Sequence, residues 1–156
     1  MCLPIRVILV LLLVAAIPGT GRASSASASS DGLHCLALTV YWEARSLSKR
    51  GRVAVAHVVI NRVANDEFPE SICQVIRQGG ETLNRCQFSW WCDGKPDVPT
   101  NPDAWQQAIA TARSVLAGES IDPTGGALYF HNEGVNPPWT GSLIRTGKID
   151  AHVFYR

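Results

Sequence analysis

Glu43 is the residue in this chain best placed to do chemistry, in the run Tyr41-Trp42-Glu43-Ala44-Arg45. It is the only acidic side chain between Asp31 and Asp66, and its neighbours are apolar or aromatic. A carboxyl in such surroundings keeps its proton, because desolvation penalises the charged form. Such a carboxyl suits a general acid in glycoside cleavage. The plainer reading is an exposed helix residue paired with a nearby arginine, and the pentapeptide alone favours that one. A second stretch, Cys86-Gln87-Phe88-Ser89-Trp90-Trp91-Cys92, sets three aromatics among polar neighbours. If extended, it points Trp90 and Trp91 to opposite faces, leaving one indole for a sugar ring or both for the core. Tyr129, His131, Asn132 and Trp139 form a third group of aromatic and hydrogen-bonding side chains.

Helices and one small sheet must position these groups. Leu33, Leu36, Ala37, Val40, Tyr41 and Ala44 recur at helical steps, predicting a helix over 33–46 with Asp31 as N-cap. Glu43 falls at the edge of its buried stripe. Arg45 lies about 200° further round, too far to pair with Glu43 directly. Residues 52–64 read as an almost wholly apolar helix, central to a small core. His57 and Asn61 share one face of it and suit structural hydrogen bonds. Pro69 is expected to open a short helix reaching residue 76. Residues 81–100 are irregular. Asn101, Pro102 and Gly118 delimit the clearest helix, buried through Trp105, Ala108, Ile109, Ala112, Val115 and Leu116. A strand over 127–131 puts Leu128 and Phe130 on one face and Tyr129 and His131 on the other. A hairpin is expected from 144–146 and 152–155, turning through 147–150.

The start of the chain reads as an export signal over residues 1–23. Arg6 precedes an apolar run at 7–17, and small residues follow. The run is shorter than the ~20 residues of a membrane span. Residues 24–32 are small and polar and are expected to be a disordered tail, which leaves 33–156 as one domain. The whole sequence has 14 basic and 13 acidic residues. Without Arg6 and Arg22 the balance is 12 to 13, a net charge of −1, which makes no case for nucleic acid as a partner. Cys35, Cys73, Cys86 and Cys92 remain, an even number in an exported chain. Three pairings exist; proximity favours Cys86–Cys92 and Cys35–Cys73. The cysteines lack tight zinc-ligand spacing, and neither a metal nor another cofactor is expected.

A two-carboxylate glycosidase needs a second acid, for which Asp93, Glu119 and Glu133 are candidates. A cysteine nucleophile would need a free thiol beside His57, His131 or His152. A serine hydrolase would need a Gly-x-Ser-x-Gly elbow, which is lacking.

Six stretches in series carry a resemblance: LALTVYWEARS, GRVAVAHVVINRV, FPESICQVI, CQFSWWCDG, DPTGGALYFHN and HVFYR. Together they resemble the SleB/CwlJ family of cell wall hydrolases, and CQFSWWCDG is nearer the CwlJ-like branch. The resemblance implies an α+β domain like those of lysozyme and lytic transglycosylases, a helical core with a small antiparallel sheet. It implies cleavage of peptidoglycan glycan strands between MurNAc and GlcNAc by a lytic transglycosylase, with Glu43 of the EAR motif as acid and base and 1,6-anhydro-MurNAc ends. The alternatives are a hydrolytic muramidase or glucosaminidase, or a peptidoglycan-binding protein without catalysis. Gln87, Phe88, Ser89, Trp90, Tyr129, His131, Asn132 and Trp139 are the expected substrate contacts. His152 stands in a recurrent C-terminal motif. The expected location is the periplasm or the cell exterior, with targeting left to the cleft or to an activating or targeting protein.

Overall fold

A computed structural model describes residues 22–83 and 85–156. Most of the expected export signal, residues 1–21, lies outside them. Helix α1, Arg22–Ala44, starts well upstream of the expected residue 33. It takes in the segment expected as a disordered tail and carries Asp31 inside rather than at its cap. The reason is local: between Arg22 and Asp31 there is neither proline nor glycine, and alternating Ala and Ser let a packed helix propagate backwards.

Helix α2, Lys49–Val63, begins three residues before the expected start, because Ser48 caps it. The Ser48 Oγ accepts the Gly51 N–H at 3.1 Å, satisfying a donor that the helix itself leaves free. Helix α3, Ile72–Arg77, omits Pro69, contrary to expectation. Residues 64–71 form turns, and Ser71 is the extended residue before the first helical turn. Helix α4, Pro102–Leu116, has the expected Asn101 cap, whose side chain accepts the Ala104 N–H at 3.0 Å. Gly118 follows with φ +71°, a left-handed turn suited to glycine. Leu116, expected in the buried stripe, is exposed, and Val115 takes the last buried position of the helix.

Three strands complete the α+β fold: β1 (Tyr129–Asn132), β2 (Arg145–Ile149) and β3 (His152–Tyr155), antiparallel in the order β1-β3-β2. The β2–β3 turn is tighter than expected and passes through Asp150 at φ +50°. Asp150 also ties the hairpin to α2, since its Oδ2 accepts the Ser48 N–H at 3.0 Å and the Ser48 hydroxyl at 2.8 Å.

Helix α2 joins two buried clusters. Ala56 and Val59 pack with Leu36, Val40 and Tyr41 of α1 and Ala108 and Ala112 of α4. Ala54 and Val58 pack instead with Ala127, Ile149 and Phe154 of the sheet region. That double duty accounts for its apolar sequence. The disulfides are Cys35–Cys73, which joins α1 to α3, and Cys86–Cys92, which closes a six-residue separation. The Tyr41 hydroxyl accepts the backbone N–H groups of Thr100 and Asn101, both at 3.1 Å, docking the start of α4 on α1.

Candidate active site

Glu43 lies in the last turn of α1, between buried Tyr41 and Ala44. It is half-buried and forms no ion pair among the described residues. Burial pushes its pKa up from 4.5 to about 7, opposed only by the positive charge of Arg62. The helix C-terminus, where backbone carbonyls are unpaired, also disfavours a negative charge there. The exposed, arginine-paired reading therefore fails. Arg45 stacks instead over the Tyr41 and Trp42 rings, at 5.1 and 5.2 Å from their centroids.

Arg62 is the residue that sequence reasoning missed. It sits in the last turn of α2 and is 1% exposed. Its Nε donates to the Leu128 carbonyl at 2.6 Å. Phe68, Phe88 and Tyr129 surround the guanidinium with centroids 5.2–5.5 Å away. Burial lowers its pKa to about 10, against the supporting charges of Tyr129 and Glu43. The signal was available: an arginine follows the most apolar helical run in the chain, and such a charge requires a reason to be there.

Arg62 also lines a cavity of about 290 Å³ with Gln87, Tyr129, Phe130, Trp139, Ser142 and Leu143. Arg62 thus connects this cavity to Glu43, which does not itself line it. Two other hollows, of about 680 Å³ at residues 77–82 and Arg85 and about 530 Å³ beside Cys35–Cys73, hold none of the expected sugar contacts.

The strand alternation holds at β1. Tyr129 and His131 face Trp139, with centroids 5.9 and 5.6 Å away. Phe130 packs on His152 and Phe154 at 5.0 and 5.9 Å. His131 stacks on Tyr155 and reaches its hydroxyl through Nε2 at 3.1 Å, while Nδ1 meets the Asn132 carbonyl at 2.8 Å. His152 is buried, and that burial lowers its pKa.

The 86–92 loop departs from expectation. Residues Ser89–Cys92 form a 3-10 turn instead of an extended run. Phe88 and Trp90 are 2% and 8% exposed, so they are core residues and not open sugar platforms. Trp90 stacks on Trp42, 6.5 Å between centroids, bracing the turn that holds Glu43. Trp91 packs under Arg77, 4.8 Å from its ring. Gln87 and Ser89 are exposed, but only Gln87 lines the cavity. Asn132 is exposed and uses its Oδ1 to hold the Gly134 N–H at 2.9 Å.

The rival chemistries lose their residues. All four cysteines of the described part are in disulfides. Asp93 pairs with Lys95 and Glu133 with Lys148, while Glu119 lines a separate hollow beside Lys49 and Arg52. None contributes to the electrostatics of Glu43. His57 and Asn61 are structural: His57 Nε2 meets Ser120 Oγ at 3.1 Å, and Asn61 donates to Asp122 and the Ala127 carbonyl.

The arrangement matches known proteins first in fold, then in sequence. The catalytic domain of the germination-specific lytic transglycosylase SleB from Bacillus anthracis superposes with a TM-score of 0.63 at 27% identity, covering 88% of this chain and 99% of that one. The Bacillus cereus SleB catalytic domain gives 0.62 at 27% identity, covering 88% and 100%. Residues 47–155 match the family described as Cell Wall Hydrolase, to which the chain belongs. Spore cortex-lytic enzymes are its curated relatives. That of Halalkalibacterium halodurans is 31% identical over 127 residues, 81% of this chain and 35% of the relative. That of Bacillus subtilis is 30% identical over 129 residues, 81% of this chain and 38% of the relative. The chain thus spans well under half of their length. Glu43 precedes the stretch matched by the family.

Proposed function

We propose that this chain cleaves the glycan strand of peptidoglycan between MurNAc and GlcNAc, as a lytic transglycosylase, with Glu43 as acid and then base. The observation that carries this reading is the burial of Glu43, which keeps its carboxyl protonated close to neutrality. Glu43 gives its proton to the glycosidic oxygen, and the C1–O bond breaks with its electron pair leaving on that oxygen. The Glu43 carboxylate then takes the proton of the MurNAc 6-hydroxyl. The freed oxygen bonds to C1 and closes a 1,6-anhydro ring. Proton and charge balance without water, and no second carboxylate is needed. Support comes from the isolation of Glu43 from other acids. It comes also from the Bacillus anthracis structural relative, a germination-specific lytic transglycosylase. Arg62 would steady the carboxylate formed between the two steps.

Location and targeting follow from the same reading: an exported, wall-facing protein that finds glycan through its cleft or an activating partner. The 3-10 turn of the 86–92 loop sets Trp90 behind Trp42, so Gln87, Tyr129 and Trp139 carry the sugar contacts in this reading, with Ser89, His131 and Asn132 at the rim.

Mass spectrometry of purified sacculi after incubation with the protein is the test. Anhydro-muropeptides are expected. Reducing MurNAc or GlcNAc ends would instead assign hydrolysis. Unchanged sacculi with retained protein would assign a binding protein without catalysis.

A further inference from the structure

The loop from Cys86 to Cys92 packs on the residue before Glu43 and on the charge that acts on it. Trp90 stacks on Trp42, with 6.5 Å between centroids. The Phe88 ring lies 5.5 Å from the guanidinium of Arg62, whose charge opposes the effect of burial on Glu43. Tyr129 of β1 acts on Arg62, and exposed Arg45 is stacked over Tyr41 and Trp42. Residues 86–92 carry no charge, and α3 and α4 add none to the balance at Glu43. One end of the loop is anchored, by the Gln87 N–H on the Gln78 carbonyl at 2.9 Å. The other end is the 3-10 turn Ser89–Cys92, with no side-chain cap and irregular backbone after it to residue 100. So short a turn has poor hydrogen-bond geometry and holds its shape weakly. The disulfide ties this end to the anchored one.

We infer that the Cys86–Cys92 disulfide is a positioning element for Glu43: it holds Phe88 and Trp90 against Arg62 and Trp42, and its reduction lets water reach the carboxyl. Burial is the larger influence on Glu43, and Arg62 the smaller and opposite one. Admitting water weakens the larger influence, so the opened protein ionises Glu43 at lower pH. Both cysteines are half-buried, within reach of a dithiol. Two electrons and two protons pass from the dithiol to the sulfurs. The S–S bond breaks, two thiols form, and the dithiol ends as its own cyclic disulfide. The inference rests on the acid role proposed for Glu43 above and adds what keeps that acid protonated.

The test follows the Glu43 side-chain carboxyl by carbon-13 NMR against pH, in the parent and in Cys86→Ser/Cys92→Ser, which keeps Cys35–Cys73. The parent should titrate at about 7. The folded variant should titrate lower, by about one pH unit or more. Dithiothreitol should move the parent the same way once alkylation shows Cys86 and Cys92 free, and reoxidation should restore it. Should the double variant fail to fold, Trp90→Leu in the oxidised protein gives the second reading, with the same downward move. A folded variant or a reduced parent that titrates with the oxidised parent overturns the inference: the disulfide then adds stability and nothing to the acid. Muropeptide release is scored separately. At pH 7 the opened protein should release roughly fivefold less, because the protonated share of Glu43 falls from about half to about a tenth. Its pH profile should move down with the carboxyl. A midpoint that drops on opening, with no release by any sample, sinks the catalytic reading alone. Release with an unmoved midpoint sinks the positioning role alone.

Discussion

Two sheltered carboxylates in this molecule are treated in opposite ways. Glu43, at the end of α1, is raised to about 7 by burial, with only Arg62 opposing. Asp122, in the loop before β1, also loses hydration, which raises its pKa. Hydrogen bonds from Thr124, Asn61 and Gly126 outweigh that loss and hold it below the usual carboxylate range. The Thr124 hydroxyl donates at 2.6 Å, its N–H at 2.8 Å, the Gly126 N–H at 2.9 Å and the Asn61 amide at 3.0 Å. Donors, not depth, decide between a carboxyl that holds its proton near neutrality and one committed to holding a loop.

The largest expected effect is on Glu43 itself. Glu43→Gln keeps the shape and removes the exchangeable proton, so release of muropeptides should fall by about a thousandfold. Near-normal release would remove Glu43 from the mechanism and with it the functional half of the contrast. Next comes Asp122→Ala, which strands four donors at once; denaturant unfolding should show a loss of about 2–4 kcal/mol. A loss no larger than that of an ordinary surface substitution would mean that those bonds do not define the loop.

The pH dependence of stability separates the two acids by sign. Glu43 binds its proton more tightly folded than unfolded, so its contribution is fully present below 4.5. It is lost as pH rises towards about 7. Glu43→Gln should therefore be more stable than the parent at pH 8, by about 2 kcal/mol, and match it below pH 4.5. Asp122 acts in reverse: its folded pKa is depressed, so its contribution is present above 3.8 and is lost as pH falls through the folded value. Identical pH curves for parent and Glu43→Gln would contradict the burial argument. The smallest effect belongs to the exposed Asp150. Asp150→Asn keeps an acceptor for Ser48 and tolerates the left-handed backbone, so unfolding should change by less than about 1 kcal/mol.

Much of the fold was legible because its signals are local. Asn101-Pro102 and Gly118 mark α4 by chemistry that needs no tertiary contact, and the apolar run of α2 announced its central place. The pairing of cysteines also followed from chain proximity. What escaped depended on contacts. Ser48 starts α2 while its hydroxyl and N–H meet Asp150, a residue 102 positions away. Trp90 could not be assigned to core or cleft until the 3-10 turn set it against Trp42. At the candidate site, residue type alone favoured an exposed, paired Glu43; the family resemblance singled out Glu43, Gln87, Tyr129 and Trp139. Arg62 showed only as a charge after an apolar run, because its meaning lies in rings brought from three other segments: Phe68, Phe88 and Tyr129.

The strand order has a consequence for folding. The middle strand of the sheet, β3, follows both of its neighbours in the chain, and β1 and β2 do not pair with each other. Until residues 152–155 join them, the two earlier strands have no sheet partner and Phe154 is absent from its cluster. The wall carrying Tyr129 closes only when the last strand is in place. A chain interrupted before His152 would retain the acid and lose one side of its cleft.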